Sequence, residues 1–300
     1  MPDIHFDKCF VDGFIQDFDS LSDNLRYKGD SRYSFTDLKG LFECPRRFYE
    51  ETWEDIGLQA KDGQAHGIVG HYLYGAWLKH CFLDGESFEE FKEEAIQLAE
   101  DVLTFSKSKD RSKLSKTYRF MDVGFLRRMY VTRMMDKEKY LDKVSNFLDN
   151  MNQFYWTLKP RSFKNLYVET GIYSNTPGGL VLFGKADLIV EHTSGNFSIV
   201  DHKSSFNTMF FNPLQLPFYA TLLKKPIESL IVNDMSTGNG YRYSNQGLMY
   251  PELDVLLDRA LSGVVYEEEE PAYRVGTHCH DCPITDCIDR QVNDSGYLEL

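Results

Sequence analysis

The chain has 300 residues, 42% hydrophobic and 14% aromatic, enough to bury a sizeable core and too apolar for a disordered polymer. No apolar run reaches the roughly 18 residues of a membrane-spanning helix, so no membrane partner is expected. The net charge of −13 argues against a nucleic-acid binder taken as a whole. Yet twelve Lys/Arg against five Asp/Glu between Lys107 and Lys143 make a local basic segment, which reads equally as a phosphate-contacting surface or a solvated helix face.

In chain order, Met1 to Asp12 mixes acids with aromatics and lacks the basic start and apolar stretch of a secretory signal. A cytoplasmic location follows as the expectation, with the six cysteines reduced or metal-bound rather than paired in disulfides. Ser34-Phe35-Thr36-Asp37 has the form of a capping box, so a helix is expected from there to about Tyr49. A second helix is expected over 67–82, with Ile68, Tyr72, Gly75 and Leu78 sharing a face. Residues 87–155 contain no proline and carry apolar residues at three-to-four spacing, which predicts several helical pieces. After Pro160 the character changes. Strands are expected over 166–173, 180–190 and 197–203, with turns at Asn175 to Gly179 and at Thr193 to Asn196. Asn212-Pro213 reads as the start of a helix running through Gln215, Phe218, Tyr219 and Leu222, and 229–235 as a fourth strand. A short helix near 253–261, an acidic solvated loop at Glu267 to Glu270 and a cysteine-rich tail follow. This order fits an α/β protein with a mixed sheet flanked by helices.

Two segments carry chemistry. Phe183-Gly184-Lys185-Ala186-Asp187 and Ile199-Val200-Asp201-His202-Lys203 each read as a buried strand with an acid near its end. Joined by a tight turn, the two strands bring Asp187 and Asp201 close enough to share a divalent cation, since paired strands lie about 4.8 Å apart. Carboxylate oxygens suit Mg²⁺ or Mn²⁺. Such an ion polarises a scissile phosphate and activates water. Lys203 lies two residues after Asp201 and shares its sheet face, where an ammonium can orient the attacking water or stabilise developing charge. An exposed Asp-x-Lys surface pair is the plain alternative, but Ser198-Ile199-Val200 reads as buried strand.

Three cysteines cluster as Cys279-x-x-Cys282-x-x-x-x-Cys287, and Cys44 stands more than 200 residues earlier in Cys-Pro-Arg-Arg-Phe. Four thiolates suit tetrahedral zinc or a 4Fe–4S cluster, and His278 and His280 are possible substitute ligands. Cys9 and Cys81 fit no such plan and read as ordinary thiols.

These segments resemble the PD-(D/E)XK nuclease superfamily, and within it the RecB-like branch. Gly184-x-x-Asp187 is similar to its Gly-x-x-Asp motif, Asp201-His202-Lys203 to its Asp-x-Lys, Gln215 to Tyr219 to its Gln-x-x-x-Tyr, and Gly67 to His71 to its Gly-x-x-x-His, in the family's order. The resemblance implies a restriction-endonuclease-like α/β core. His71, Asp187, Asp201 and the backbone carbonyl of His202 would be metal ligands, and Lys203 the catalytic lysine. Glu169 would be a further acid near the metal, with Gln215 and Tyr219 bordering the DNA and the site. His66 competes with His71 for the ligand role, and spacing favours His71. The cysteine plan resembles the iron–sulfur members, including AddB-type helicase-nucleases and CRISPR-associated spacer-acquisition nucleases, and implies 4Fe–4S rather than Zn²⁺.

The expected organisation is an N-terminal helical segment at 1–62 carrying Cys44, a first core helix at 63–86 and a helical insertion at 87–160. A nuclease core follows at 161–265, then a Cys-rich segment at 266–300 packing back on the N-terminus. The expected activity is a Mg²⁺- or Mn²⁺-dependent DNA exonuclease acting on single strands or free ends in recombination, repair, replication or CRISPR-like processing. It would work in the cytoplasm of a bacterial or phage-infected cell, alone or beside a helicase, recombination or CRISPR protein. No Gly-x-x-x-x-Gly-Lys-[Ser/Thr] loop is present, so the chain carries no helicase motor of its own. A structure-specific endonuclease and a non-catalytic DNA-end-binding component are the alternatives.

Overall fold

Strand-forming apolar runs in the second half of the chain build the centre of one sheet. The computed structural model describes residues 3–4, 32–38, 62–108, 136–158, 163–176, 181–206 and 215–243. Its strands are β1 (Asp3–Ile4), β2 (Arg32–Ser34), β3 (Phe163–Asn175), β4 (Val181–His192), β5 (Phe197–Lys203), β6 (Ile227–Asp234) and β7 (Asn239–Tyr243). They form a single seven-stranded sheet in the order β1-β7-β6-β5-β4-β2, with β3 also paired to β4. The pairs β3–β4, β4–β5 and β6–β7 are antiparallel, and β1–β7, β2–β4 and β5–β6 are parallel. This is the mixed sheet the sequence predicts. The expected strands appear within a few residues of their predicted bounds, whereas β7, short and carrying Asn239, Gly240 and Arg242, has too weak an apolar pattern to be read in advance. The β4–β5 turn closes through Gly195, whose φ of 84° is the left-handed conformation that a side chain would resist.

The helices are α1 (Asp62–Trp77), α2 (Phe88–Ser108), α3 (Lys137–Leu158) and α4 (Gln215–Leu223). The expected helix over 67–82 begins at Asp62 and changes at its end, where Leu78–Leu83 continue as π-helix. Ser87 caps α2, its hydroxyl accepting from the Glu90 amide at 3.5 Å, and Asp136 caps α3 by accepting from the Lys139 amide at 3.2 Å. The capping box at Ser34 forms as expected: the Ser34 amide donates to Asp37 Oδ2 at 2.7 Å and the Asp37 amide to Ser34 Oγ at 3.2 Å.

α2 and α3 bury stripes at three-to-four spacing, Phe91, Ala95 and Leu98 on one and Tyr140, Val144, Leu148 and Met151 on the other. These pack with Leu73, Tyr74 and Trp77 of α1 over Leu188, Val190, Val200 and Ile231 of the sheet. The helices between α1 and β3 therefore share one core with the sheet. No helix among the described residues is long and apolar enough to cross a membrane. Cys9, Cys44, Cys279, Cys282 and Cys287, residues 109–135 of the basic segment, and the expected helix near 253–261 lie outside the described residues. Cys81 is described, and its thiol donates to the Ser87 carbonyl at 3.9 Å.

Candidate active site

β4 changes partner halfway along. One edge pairs with β2 through Phe183 and with β5 from Leu188 onward. Between these points the sheet forks, and Asp187 stands at the fork. The register Leu188↔Val200 puts Asp187 opposite Asp201 one step further on. On the other edge, Val168 pairs with Leu188 and Thr170 with Ala186. Glu169, between them, faces Asp187 with a φ of 49°, a left-handed backbone that costs a non-glycine residue about 1–3 kcal/mol.

α1 brings His71 onto this pair of acids. His71 Nδ1 lies 3.2 Å from Asp187 Oδ1 and 3.9 Å from Glu169 Oε1. His71, Glu169 and Asp187 each offer a ligand atom, all within 4.8 Å of one another. Asp187 Oδ2 accepts the backbone N–H of His202 at 2.7 Å, so β5 fixes the carboxylate's orientation. Glu169 also pairs with the Lys185 ammonium. Glu169 Oε1 is buried and has no hydrogen-bond donor. A buried acceptor without a donor is unfavourable unless a cation satisfies it, and an imidazole with two carboxylates is a donor set that suits a divalent ion. The residues present therefore fit a metal. The His71 ring reaches Asp187, and the side chain of His66, the competing candidate, lies outside the described side chains.

The second half of the site lies against α4. Lys203 Nζ is 2.8 Å from Asp201 Oδ2 and donates to Gln215 Oε1 at 2.9 Å. Gln215 Nε2 donates to Asp201 Oδ1 at 3.1 Å and to the Tyr219 hydroxyl at 3.2 Å. Gln215 and Tyr219, one helical turn apart, thus meet as the i, i+4 spacing predicts. Glycine at 184 is what lets α4 approach: a Cβ there would stand 2.6 Å from the Tyr219 ring. Asp201 faces Lys203 and Gln215, while the three-residue ligand group forms without it.

Charge in the site follows from this geometry. Burial works against a charged His71, but Asp187, helped by Asp201 and Glu169, outweighs it and raises the imidazole's pKa to about 9. Burial likewise opposes the charge on Asp187, yet His71 and the His202 N–H hold its carboxyl well below the usual range. Burial pushes Asp201 up to about 6 against the pull of Lys203. Without an ion, a protonated His71 balances the acids, and coordination requires its neutral form.

Three residues escape the sequence reading. Lys185 sits inside the quoted Gly184 to Asp187 motif but carries no signal until Glu169 is placed beside it. The His202 side chain, on the opposite sheet face from Asp201 and Lys203, is fully buried; its ring lies 3.7 Å from that of Tyr74, and its Nδ1 accepts from Asn233 Nδ2 at 3.1 Å. Burial drops its pKa to about 3, so it is neutral. Only the pairing of β5 with β6 brings Asn233 to it.

Among curated proteins none matches the chain in sequence. Among solved structures the chain is similar to one titled "Crystal structure of SSO0001", at 14% identity over 91% of this chain and 93% of that chain, with a TM-score of 0.35. A family model described as the PD-(D/E)XK nuclease superfamily matches residues 32–287. That span runs from β2 through both acid-bearing strands to Cys287, and the chain belongs to the PD-(D/E)XK nuclease superfamily.

Proposed function

We propose that this nuclease is a Mg²⁺- or Mn²⁺-dependent deoxyribonuclease of the RecB-like branch, an exonuclease hydrolysing single-stranded DNA or DNA ends. The observation that carries the reading is the convergence of His71, Glu169 and Asp187 within 4.8 Å, beside the Asp201–Lys203 pair. These three residues, with Asp201 and the His202 carbonyl, would hold the ion. When bound, it supplies charge for the scissile phosphate and lowers the pKa of water. Lys203 stands ready to orient the attacking water and to stabilise charge as the new P–O bond forms and the bridging P–O bond breaks. Gln215 holds the Lys203 ammonium in place and ties it to Tyr219.

The test is hydrolysis of end-labelled single strands in Mg²⁺ or Mn²⁺ by the full chain and by Asp201→Ala and Lys203→Ala. Both variants lose activity while their circular-dichroism spectra stay native; full activity in both would sink the reading. Covalently closed circular single strands resist an exonuclease, and their cutting would establish an endonuclease instead.

In the same reading Cys44, Cys279, Cys282 and Cys287 hold a 4Fe–4S cluster that staples 266–300 to 1–62 around the core, with 87–160 as a helical insertion. Protein purified without oxygen is then brown and contains about four irons per chain, as one 4Fe–4S cluster requires; one zinc and no iron would overturn this. The biological setting is DNA recombination, repair or CRISPR-like processing, beside a helicase or recombination partner.

A further inference from the structure

Beyond the metal-ligand group, the β3–β4 arm carries a row of side chains that the hydrolytic chemistry does not use. Moving along the ladder from the opposed Glu169 and Asp187, the next pair on that face is Gly171↔Lys185 and the one after it Tyr173↔Phe183. Tyr173 is 66% exposed, the more exposed of the two exposed large hydrophobic side chains among the described residues. The other, Tyr167, has its hydroxyl engaged by Glu191 at 2.8 Å. Tyr173 instead stacks on Phe183, with ring centroids 6.2 Å apart and planes 21° from parallel.

The direction of the Tyr173 ring is readable. A Cβ on Gly171 would meet Tyr173 Cε2 at 3.2 Å and its hydroxyl at 3.6 Å. The ring therefore leans back over Gly171, towards Lys185 and the ligand group. Glycine leaves the surface opposite Lys185 without a side chain. Lys185 pairs with Glu169, yet its side chain is 55% exposed. The result is a flat, supported, exposed aromatic surface, then an exposed ammonium, then the three ligand groups, in a line.

We propose that Tyr173, backed by Phe183, and Lys185 form a landing platform for a single nucleic-acid strand: an unpaired base stacks on Tyr173 and the phosphate beside it meets Lys185. This rests on the nuclease reading of the neighbouring site. Inside a duplex every base shows only its edge, so an unpaired base, whose face is free, is the group that covers the ring along a strand. Stacking of this kind is tolerant of sequence, because every base has a π-face. The ammonium matches the phosphate charge.

The test uses the full chain with metal chelated, so that binding is read without cleavage. The probe is a short oligothymidylate carrying one 2-aminopurine, whose fluorescence falls when the base stacks. Wild type quenches the probe. Tyr173→Ala abolishes the quench and weakens binding about tenfold, within the range for losing one base–aromatic stack, whereas Tyr173→Trp keeps both. Tyr173→Leu, which preserves apolar bulk on Phe183 without a π-face, behaves like Tyr173→Ala and guards against a folding defect. Replacing the landing base by an abasic site weakens wild type but not Tyr173→Ala. Lys185→Ala flattens the slope of log K against log salt by about 0.7, as expected for one lost phosphate contact on a single strand.

Native quenching and affinity in Tyr173→Ala and Tyr173→Leu would overturn the platform, as would an equal loss of affinity for a covalently closed circular duplex, which has no free base face. Wild type that quenches the probe but cleaves nothing in Mg²⁺ or Mn²⁺ would sink the nuclease reading and leave the platform standing.

Discussion

On the α4 side of the site, Lys203, Gln215 and Tyr219 form a hydrogen-bonded chain around Asp201. On the α1 side, His71, Glu169 and Asp187 crowd three ligand atoms together, leave Glu169 Oε1 buried without a donor, and hold Glu169 in a left-handed backbone. The first half is tied together by hydrogen bonds through Gln215, although Asp201 Oδ2, like Glu169 Oε1, is buried without a hydrogen-bond partner and faces only the Lys203 ammonium. Gln215 holds the Lys203 ammonium in place without any added group, which suits the catalytic role proposed for it. The second half has the donor set to hold a cation. Strain and an unpaired oxygen there mark where the fold gives up stability for binding.

The largest effect that tests this contrast is on the hydrogen-bonded half. Lys203→Ala lowers the cleavage rate at saturating metal by about 10²–10⁴-fold, the usual range for a positioned proton-transfer or charge-stabilising group. Metal affinity, measured by calorimetry, stays within a few-fold of wild type. A variant whose activity recovers at high Mn²⁺ would assign Lys203 to the metal half instead.

The half built on His71, Glu169 and Asp187 predicts the reverse. His71→Ala weakens Mn²⁺ binding at least tenfold in the same titration, the lower end of what lost metal-site partners cost. Glu169→Gly also weakens binding, but raises the melting temperature, because glycine takes a φ of 49° without strain. Equal melting temperatures for Glu169→Gly and wild type would remove the strain from the argument.

A smaller effect probes the seam between α4 and the sheet. Gly184→Ala forces a Cβ to 2.6 Å from the Tyr219 ring. It destabilises the fold by about 1–3 kcal/mol in urea unfolding, as overpacking does. Adding Tyr219→Ala recovers part of this loss, since the clash is with that ring alone at the shortest distance. Additive losses would place the strain elsewhere.

The smallest effect lies off the site, at Glu191. Asn165, Lys164 and Tyr167, in that order, hold its pKa down to about 2, against 4.5 for an ordinary glutamate. A carboxyl whose pKa is lower folded than unfolded stabilises the protein above about pH 4.5, and that stabilisation is lost as pH falls through about 2. Thermal melts from pH 6 to pH 2 therefore fall less steeply for Glu191→Gln than for wild type. Parallel curves would mean these hydrogen bonds persist in the unfolded chain.

Much of the architecture was legible in one dimension. The capping box at Ser34, the β3, β4 and β5 strands and the turn at Gly195 rest on local steric and hydrogen-bonding preferences, which act within a few residues. The spacing of Asp201 and Lys203 and of Gln215 and Tyr219 was readable for the same reason: strand and helix periods determine which side chains share a face. Glu169's left-handed backbone, the Lys185 pair, Asn233 behind His202 and the exposed Tyr173–Phe183 stack were not. Each depends on which strand lies beside which, and pairing register joins residues far apart in sequence through contacts that no local pattern encodes. The chain alone therefore determined what chemistry it carries, because residue type and short-range spacing are local properties. Only the tertiary structure decided how these residues divide into a hydrogen-bonded group around Asp201 and a crowded group of His71, Glu169 and Asp187, because burial and side-chain contact exist only once the sheet has assembled.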